Sequence, residues 1–168
     1  YPDFDINAFN KVEDPKVFNN LATTGNYEPG SIFKPLTMAA AINEGKVTPD
    51  TTYIDTGRVE EAGGFVIKNS DGKAHGVQNM TQVLDESLNT GAVFAKEKIG
   101  NSVFKKYIQN FGFGEKTGVE LPETAGNLDS LKNGIKIDYD SASFGQSITV
   151  TPIQMVQAYA ALANGGKM

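Results

Sequence analysis

Cysteine is absent from the 168 residues. There is therefore no disulfide framework, no thiol nucleophile and no cysteine-ligated metal, and the redox compartment stays open. The single histidine, His75, excludes a multi-histidine metal site and leaves any Ser-His-Asp triad dependent on that one ring. No apolar run approaches the roughly eighteen residues needed to span a bilayer, and the N-terminus does not read as a signal peptide. Basic residues are outnumbered 15 to 20, for a net charge of −5. That balance argues against a nucleic-acid partner or a polybasic membrane patch. The chain opens on Tyr1 without an initiator methionine and is expected to be a processed or excised piece. Its length suits one domain, able to bury about 70% of its unfolded surface.

What is present is helical punctuation. Tyr1 to Asn26, rich in Asn, Asp and Pro, reads as an irregular approach with at most a short turn around Pro15 to Leu21. A helix is predicted over Leu36 to Glu44, after the Pro29-Gly30 break and before a Gly45 cap; Pro35 is tolerable in its first turn. From Lys46 to Asn79 the chain turns to β-branched residues and turn formers. Phe65-Val66-Ile67-Lys68 reads as a strand between the Gly63-Gly64 and Ser70-Asp71-Gly72 turns, giving a small hairpin-like excursion. Thr81 is expected to cap a helix reaching toward Ser87, Thr90 to Ile99 forms a second stopped by Gly100, and Asn101 caps a third ending at Gly112. Val103, Phe104, Tyr107 and Ile108 make one stripe of that third helix. Phe113 to Asp140 reads as loop. Thr151, Pro152 and Gln154 then form a capping box with proline at the first helical position. Ile153, Val156, Tyr159, Ala160 and Leu162 are its expected apolar face, and Asn164-Gly165-Gly166 its end.

Three stretches could carry chemistry. In Ser31-Ile32-Phe33-Lys34, a hydroxyl sits at the mouth of a helix with an amine three residues on, and side chains so spaced are neighbours about 5–6 Å apart. A buried lysine that has lost its charge can serve as base for a serine nucleophile. Alone, the pattern is equally an ordinary helix start with a surface lysine. Ser87-Leu88-Asn89 lies between two helices, with a hydroxyl able to shuttle a proton and an amide able to hold a peptide group; a plain connection reads the same way. Lys116-Thr117-Gly118 follows a helix end and leads into a proline loop, so it is expected to be structural. His75, Glu60-Glu61 and Asp138-Tyr139-Asp140 read as solvated, the carboxylates lacking metal-ligand spacing. Phe94, Phe104, Tyr107 and Tyr159 read as core.

Taken in order, these stretches resemble the class B penicillin-binding proteins, the peptidoglycan D,D-transpeptidases. Glu28-Pro29-Gly30-Ser31-x-Phe33-Lys34-Pro35 is similar to their active-site motif, and Ser87-Leu88-Asn89-Thr90-Gly91 to their S-x-N motif. The opening Tyr1-Pro2-x-Phe4-Asp5-x-Asn7-x-Phe9, the glycine-rich run Phe111 to Pro122, and Phe144-Gly145-Gln146 with Val150-Thr151-Pro152-Ile153-Gln154 also match in order. The resemblance implies that Ser31 attacks the carbonyl of a D-Ala-D-Ala stem peptide or a β-lactam, with Lys34 as base and no cofactor or metal. It further implies that Ser87 relays the proton, Asn89 holds the substrate's amide side chain, and the Ser31 N–H gives half of an oxyanion hole.

The implied fold is mainly α with a small β excursion: the helical subdomain of the α+β transpeptidase fold, with most of the core antiparallel sheet absent. Residues 1–168 would be one partial transpeptidase domain, ending before the catalytic K-[TS]-G strand and without the membrane anchor and pedestal domain. Such a chain is expected to be a poor catalyst alone, and to self-associate or need the missing strands. The parent is expected at the extracytoplasmic face of a bacterial membrane, anchored and paired with a glycosyltransferase. A non-catalytic penicillin-binding-like sensor, or a class D β-lactamase (typically S-x-V where this chain has Ser87-Leu88-Asn89), are the alternatives.

Overall fold

The computed structural model describes residues 4–167, so Tyr1, Pro2 and Asp3 of the opening resemblance, and Met168, fall outside it. The approach segment holds three short turns rather than one: 3-10 helices at Ile6–Lys11 and Pro15–Phe18, and helix α1 (Leu21–Thr24). Each starts where an Asp or Asn side chain (Asp5, Asp14, Asn20) accepts from the N–H two residues on. That is the local bond by which such residues favour turns and caps.

A 3-10 turn, Gly30–Phe33, leads directly into α2 (Lys34–Asn43), two residues ahead of the predicted start. The excursion is larger than one hairpin. Strand β1 (Thr52–Asp55) pairs antiparallel with β4 (Gly76–Asn79), and nested inside it β2 (Arg58–Glu60) pairs with β3 (Val66–Lys68). Registers place Ile54 opposite Val77 and Val59 opposite Ile67. Among the described residues these two-stranded ribbons are the only named sheets.

Helix α3 (Met80–Asp85) is capped not by Thr81 but by Asn79, in a capping box with Gln82. Helix α4 (Asn89–Asn110) breaks at Gly100, whose φ of 76° and ψ of 162° interrupt the helical path. Glycine adopts that backbone without a Cβ penalty, so the predicted stop is present as a kink between two helical segments. Asn101 is not a cap there; its side-chain oxygen accepts from Lys96 Nζ at 3.2 Å. The expected loop from Phe113 to Asp140 contains a 3-10 turn, Asp129–Lys132, and most of α5 (Lys136–Ala142).

Helix α6 (Pro152–Ala163) has the predicted capping box and proline, but its buried face is Gln154, Met155, Ala158 and Ala161. Val156 and Tyr159, placed in the core by periodicity, are exposed by 67% and 38%. The helix carries apolar residues all round, so hydrophobicity alone does not select a face.

Helices α2, α4 and α6 share one core containing Phe33, Leu36, Met38, Phe104, Ile108, Phe113, Met155 and Ala158. Phe33 and Phe113 meet at 5.2 Å between ring centroids. Burying each Leu or Phe there stabilises by about 1.5–3 kcal/mol, which fixes α2, and hence the residues at its start, against α4. Phe94 and Tyr107 pack at the edge of this core, partly buried.

One carboxylate of each acidic pair expected in solvent is enclosed, while Glu60 is exposed as expected. Glu61 has a side chain only 8% exposed and takes Lys136 Nζ at 2.5 Å. Asp140 is fully buried, paired with Lys96 and with Lys136 Nζ at 2.8 Å. Glu97 completes the group at 2.7 Å from the same Lys136 amine. Three carboxylates that sequence spacing kept apart thus converge, with an ammonium between them. Burial opposes the Lys136 charge, but hydrogen bonds to Asp140, Glu61 and Glu97 outweigh it and hold that pKa above the ordinary lysine value.

Candidate active site

Ser31 lies on the 3-10 turn and Lys34 is the first residue of α2. Residues three apart eclipse in a 3-10 helix, so the local backbone aims both side chains the same way. Lys34 Nζ stands 3.1 Å from Ser31 Oγ. Ser31 is exposed and Lys34 is buried.

The second hydroxyl arrives from elsewhere in the chain. Ser87, just before α4, presents both Oγ (2.9 Å) and its carbonyl oxygen (2.5 Å) to Lys34 Nζ. To do so it adopts φ 54°, one of two non-glycine residues in the left-handed region among the described residues. Such strain persists only where the surroundings hold it, and it clusters at functional sites.

Burial lowers the Lys34 pKa to about 8. As an ammonium it donates to Ser31 Oγ, Ser87 Oγ and Ser87 O. As an amine it keeps two N–H donors for Ser87 and gains a lone pair that can take the Ser31 proton. The arrangement can therefore set a base beside a nucleophile and link that base to a second hydroxyl.

Asn89, the first residue of α4, is near but engaged: its Nδ2 donates to Lys68 O at 2.8 Å. That bond leaves its Oδ1 and second amide hydrogen for another partner. Lys116-Thr117-Gly118 is not brought to Ser31. The Thr117 N–H and hydroxyl donate to Glu123 Oε2 at 3.0 and 2.8 Å, and the Gly118 N–H to Oε1 at 2.8 Å, closing a loop. Burial alone would raise the Glu123 pKa, but these donors hold it below the ordinary carboxylate value. His75 Nε2 pairs with Asp71 at 3.0 Å on the excursion.

Sequence reasoning missed the supports of the Ser31 turn. Tyr159, taken as core, donates its hydroxyl to Ile32 O at 2.7 Å. Thr37 Oγ1 donates to Ser143 O at 2.8 Å, tying α2 to the end of α5. Gly145, in the next turn, accepts from the Gly30 N–H at 2.8 Å. A Cβ at Gly145 would lie 2.2 Å from Gly30 O, and its φ is 79°. Gly145→Ala is therefore expected to cost roughly 2–5 kcal/mol, from a left-handed non-glycine residue and overlap with backbone that cannot retreat. Thermal unfolding measures the loss, and any Gly145→Ala protein that still folds should react more slowly at Ser31. The Phe144-Gly145-Gln146 run was the one local signal for this contact.

A serine, a buried lysine of lowered pKa and a second serine, at the edge of a helical core, make an arrangement in which a lysine can serve a serine nucleophile. The chain belongs to the family described as the penicillin-binding protein transpeptidase domain, whose sequence profile matches residues 1–168. It is 41% identical to the stage V sporulation protein D of Bacillus subtilis over 99% of this chain and 26% of that protein. It is 31% identical to the probable peptidoglycan D,D-transpeptidase of Caulobacter vibrioides over 100% of this chain and 28% of that one. Penicillin-binding protein 3 of Mycobacterium tuberculosis, solved with ampicillin, superposes with a TM-score of 0.81 at 30% identity, covering 88% of this chain and 33% of that one. The chain thus spans about a quarter of the length of these curated relatives. The expected fold is borne out: a mainly helical part of the transpeptidase fold, carrying little of its sheet.

Proposed function

We propose that this chain contributes the nucleophile, base and proton relay of a serine D,D-transpeptidase that cross-links peptidoglycan and is acylated by β-lactams. The observation that carries the reading is Lys34 Nζ standing between Ser31 Oγ and Ser87 Oγ, at 3.1 and 2.9 Å. Ser31 Oγ attacks the carbonyl carbon of a D-Ala-D-Ala stem peptide and gives its proton to the Lys34 amine. The C–N bond of the tetrahedral intermediate then breaks. Ser87 relays a proton from Lys34 to the departing D-alanine amine, leaving an ester on Ser31. An amine of a second stem peptide attacks that ester, restoring the Ser31 hydroxyl and completing the cross-link. With a β-lactam the ring nitrogen takes the relayed proton and the ester persists. Asn89 holds the amide side chain of the acyl donor, and the Ser31 N–H supplies half of the oxyanion hole.

The rest of the site is proposed to lie on further strands of the domain, including a K-[TS]-G strand that provides the second oxyanion donor. Losing such a donor costs about 10²–10³ in rate. Ile32, Val156 and Tyr159, exposed near Ser31 and along α6, suit contact with those strands or with a second copy. The substrate places the protein's work at the extracytoplasmic face of a bacterial membrane. An anchor, a pedestal domain and a glycosyltransferase partner belong to the same proposal, and no nucleic acid does. Relatives that carry transpeptidase names favour this reading over the sensor and the class D β-lactamase.

A fluorescent penicillin tests it. The full-length protein should be labelled stoichiometrically on Ser31 and its Ser31→Ala variant not at all, with the 168-residue chain alone labelled at least about 10²-fold more slowly. Absence of label on the full-length protein would remove the reading. Fast labelling of the 168-residue chain would remove the need for further strands.

A further inference from the structure

The β excursion holds a buried polar cluster that the proposed chemistry does not use. Asp55, at the end of β1, is 2% exposed and has no ion-pair partner among the described residues. Its two oxygens accept four donors: the Gly57 N–H (2.8 Å), the His75 N–H (3.0 Å), Asn69 Nδ2 (2.8 Å) and the Thr90 hydroxyl (2.8 Å). A buried charge balanced only by hydrogen bonds is tolerated when the geometry satisfies it fully. Here the bonds tie the ends of all four strands to the first turn of α4.

That turn follows directly from Ser87-Leu88-Asn89. Asn69 Oδ1 accepts from the Thr90 N–H at 3.2 Å, and the adjoining Lys68 carbonyl accepts from Asn89 Nδ2 at 2.8 Å. The Tyr53 hydroxyl meets Thr90 Oγ1 at 3.0 Å; since Thr90 donates onward to Asp55, Tyr53 is the donor in this contact. The segment is thus gripped from both sides, by Lys34 at Ser87 and by the excursion at Asn89 and Thr90. Between them Ser87 sits in a left-handed conformation that a loose connection would relax.

We infer that Asp55, Asn69 and Thr90 form a positioning unit that holds Ser87 and Asn89 in register with Lys34 and Ser31. The inference rests on the function proposed above. The excursion then acts as a brace for the reacting groups, and none of the three residues touches substrate.

The test compares Thr90→Val, which keeps the shape and loses the hydroxyl, with Thr90→Ser, which keeps the hydroxyl. Thr117→Val, which loses a hydroxyl bond to Glu123 away from Ser31, controls for general destabilisation. Penicillin acylation of the full-length protein is resolved into a limiting rate and a binding constant, beside thermal unfolding. Small misplacements of reacting groups cost up to about 10²-fold, so Thr90→Val should lose about 10–10²-fold in limiting rate. Thr90→Ser should recover most of it, and Thr117→Val should acylate normally whatever its melting temperature. Wild-type acylation by Thr90→Val, failure of Thr90→Ser to recover, or an equal loss in Thr117→Val would overturn the positioning role while leaving the proposed function standing. An unlabelled wild-type protein would overturn both. If Thr90→Val does not fold, Tyr53→Phe should show a smaller loss of the same kind, and an unchanged rate there would overturn the inference.

Discussion

Lys34→Met should lower the rate of penicillin acylation at Ser31 by about 10²–10⁴-fold, the usual contribution of a positioned general base. Methionine keeps most of the buried chain, so thermal unfolding separates a lost base from a lost fold. The same lysine sets a pH profile. Its pKa of about 8 means that acylation by the native protein should climb as pH rises through 8 and level off above it, while Lys34→Met shows no such climb. Stability follows the same proton. The folded pKa lies below the ordinary 10.5, so between the two values the unfolded chain binds more protons than the native one. The contribution of Lys34 is fully present above 10.5 and lost as pH falls through about 8. Denaturant midpoints for the native protein and Lys34→Met across that window check the sign.

The second large effect lies away from Ser31. Lys96 on α4 and Asp140 on α5 are 1% and 0% exposed and pair with each other. Breaking a buried pair by removing one partner typically costs about 3–5 kcal/mol, because the other charge is left uncompensated; replacing both with apolar residues of similar volume is far milder. Lys96→Met and Asp140→Ala should each lose about that much in urea unfolding, and Lys96→Met with Asp140→Leu should recover a large part. Lys96→Met should be the gentler single change, since Asp140 keeps Lys136 at 2.8 Å. Because α5 leads to Ser143, which meets Thr37, and to Gly145, which meets Gly30, either single variant should also slow reaction at Ser31. Equal stability of both singles and the native protein would show that the pair is not carrying the α4–α5 contact.

The parts of the candidate site that were legible share one property: their partners are close in sequence. Ser31 and Lys34 are three apart, and Thr151, Pro152 and Gln154 write a helix start in four residues. Errors arose where local signals tied. Thr81 and Asn79 are both good caps, and the side chain with Gln82 opposite it won. Helix α5 has seven residues, too few to hold by propensity, and stands on ion pairs from Asp140 to Lys96 and from Lys136 to Glu61 and Glu97 that no window of sequence contains.

The sequence by itself determined that a hydroxyl and an amine would share one side of a turn at the start of a helix, and that a second serine and an asparagine would stand at the start of another. Backbone periodicity and capping are local, so they are written where they act. Only the tertiary structure decided that Lys34 loses solvent, that its amine reaches Ser87 across 53 positions, and that Asp55, Asp140 and Gly145 are enclosed. Burial depends on which faces meet. A carboxylate or a lysine carries the same letter whether it is solvated or surrounded, and it is the surroundings that shift its proton and give it a partner.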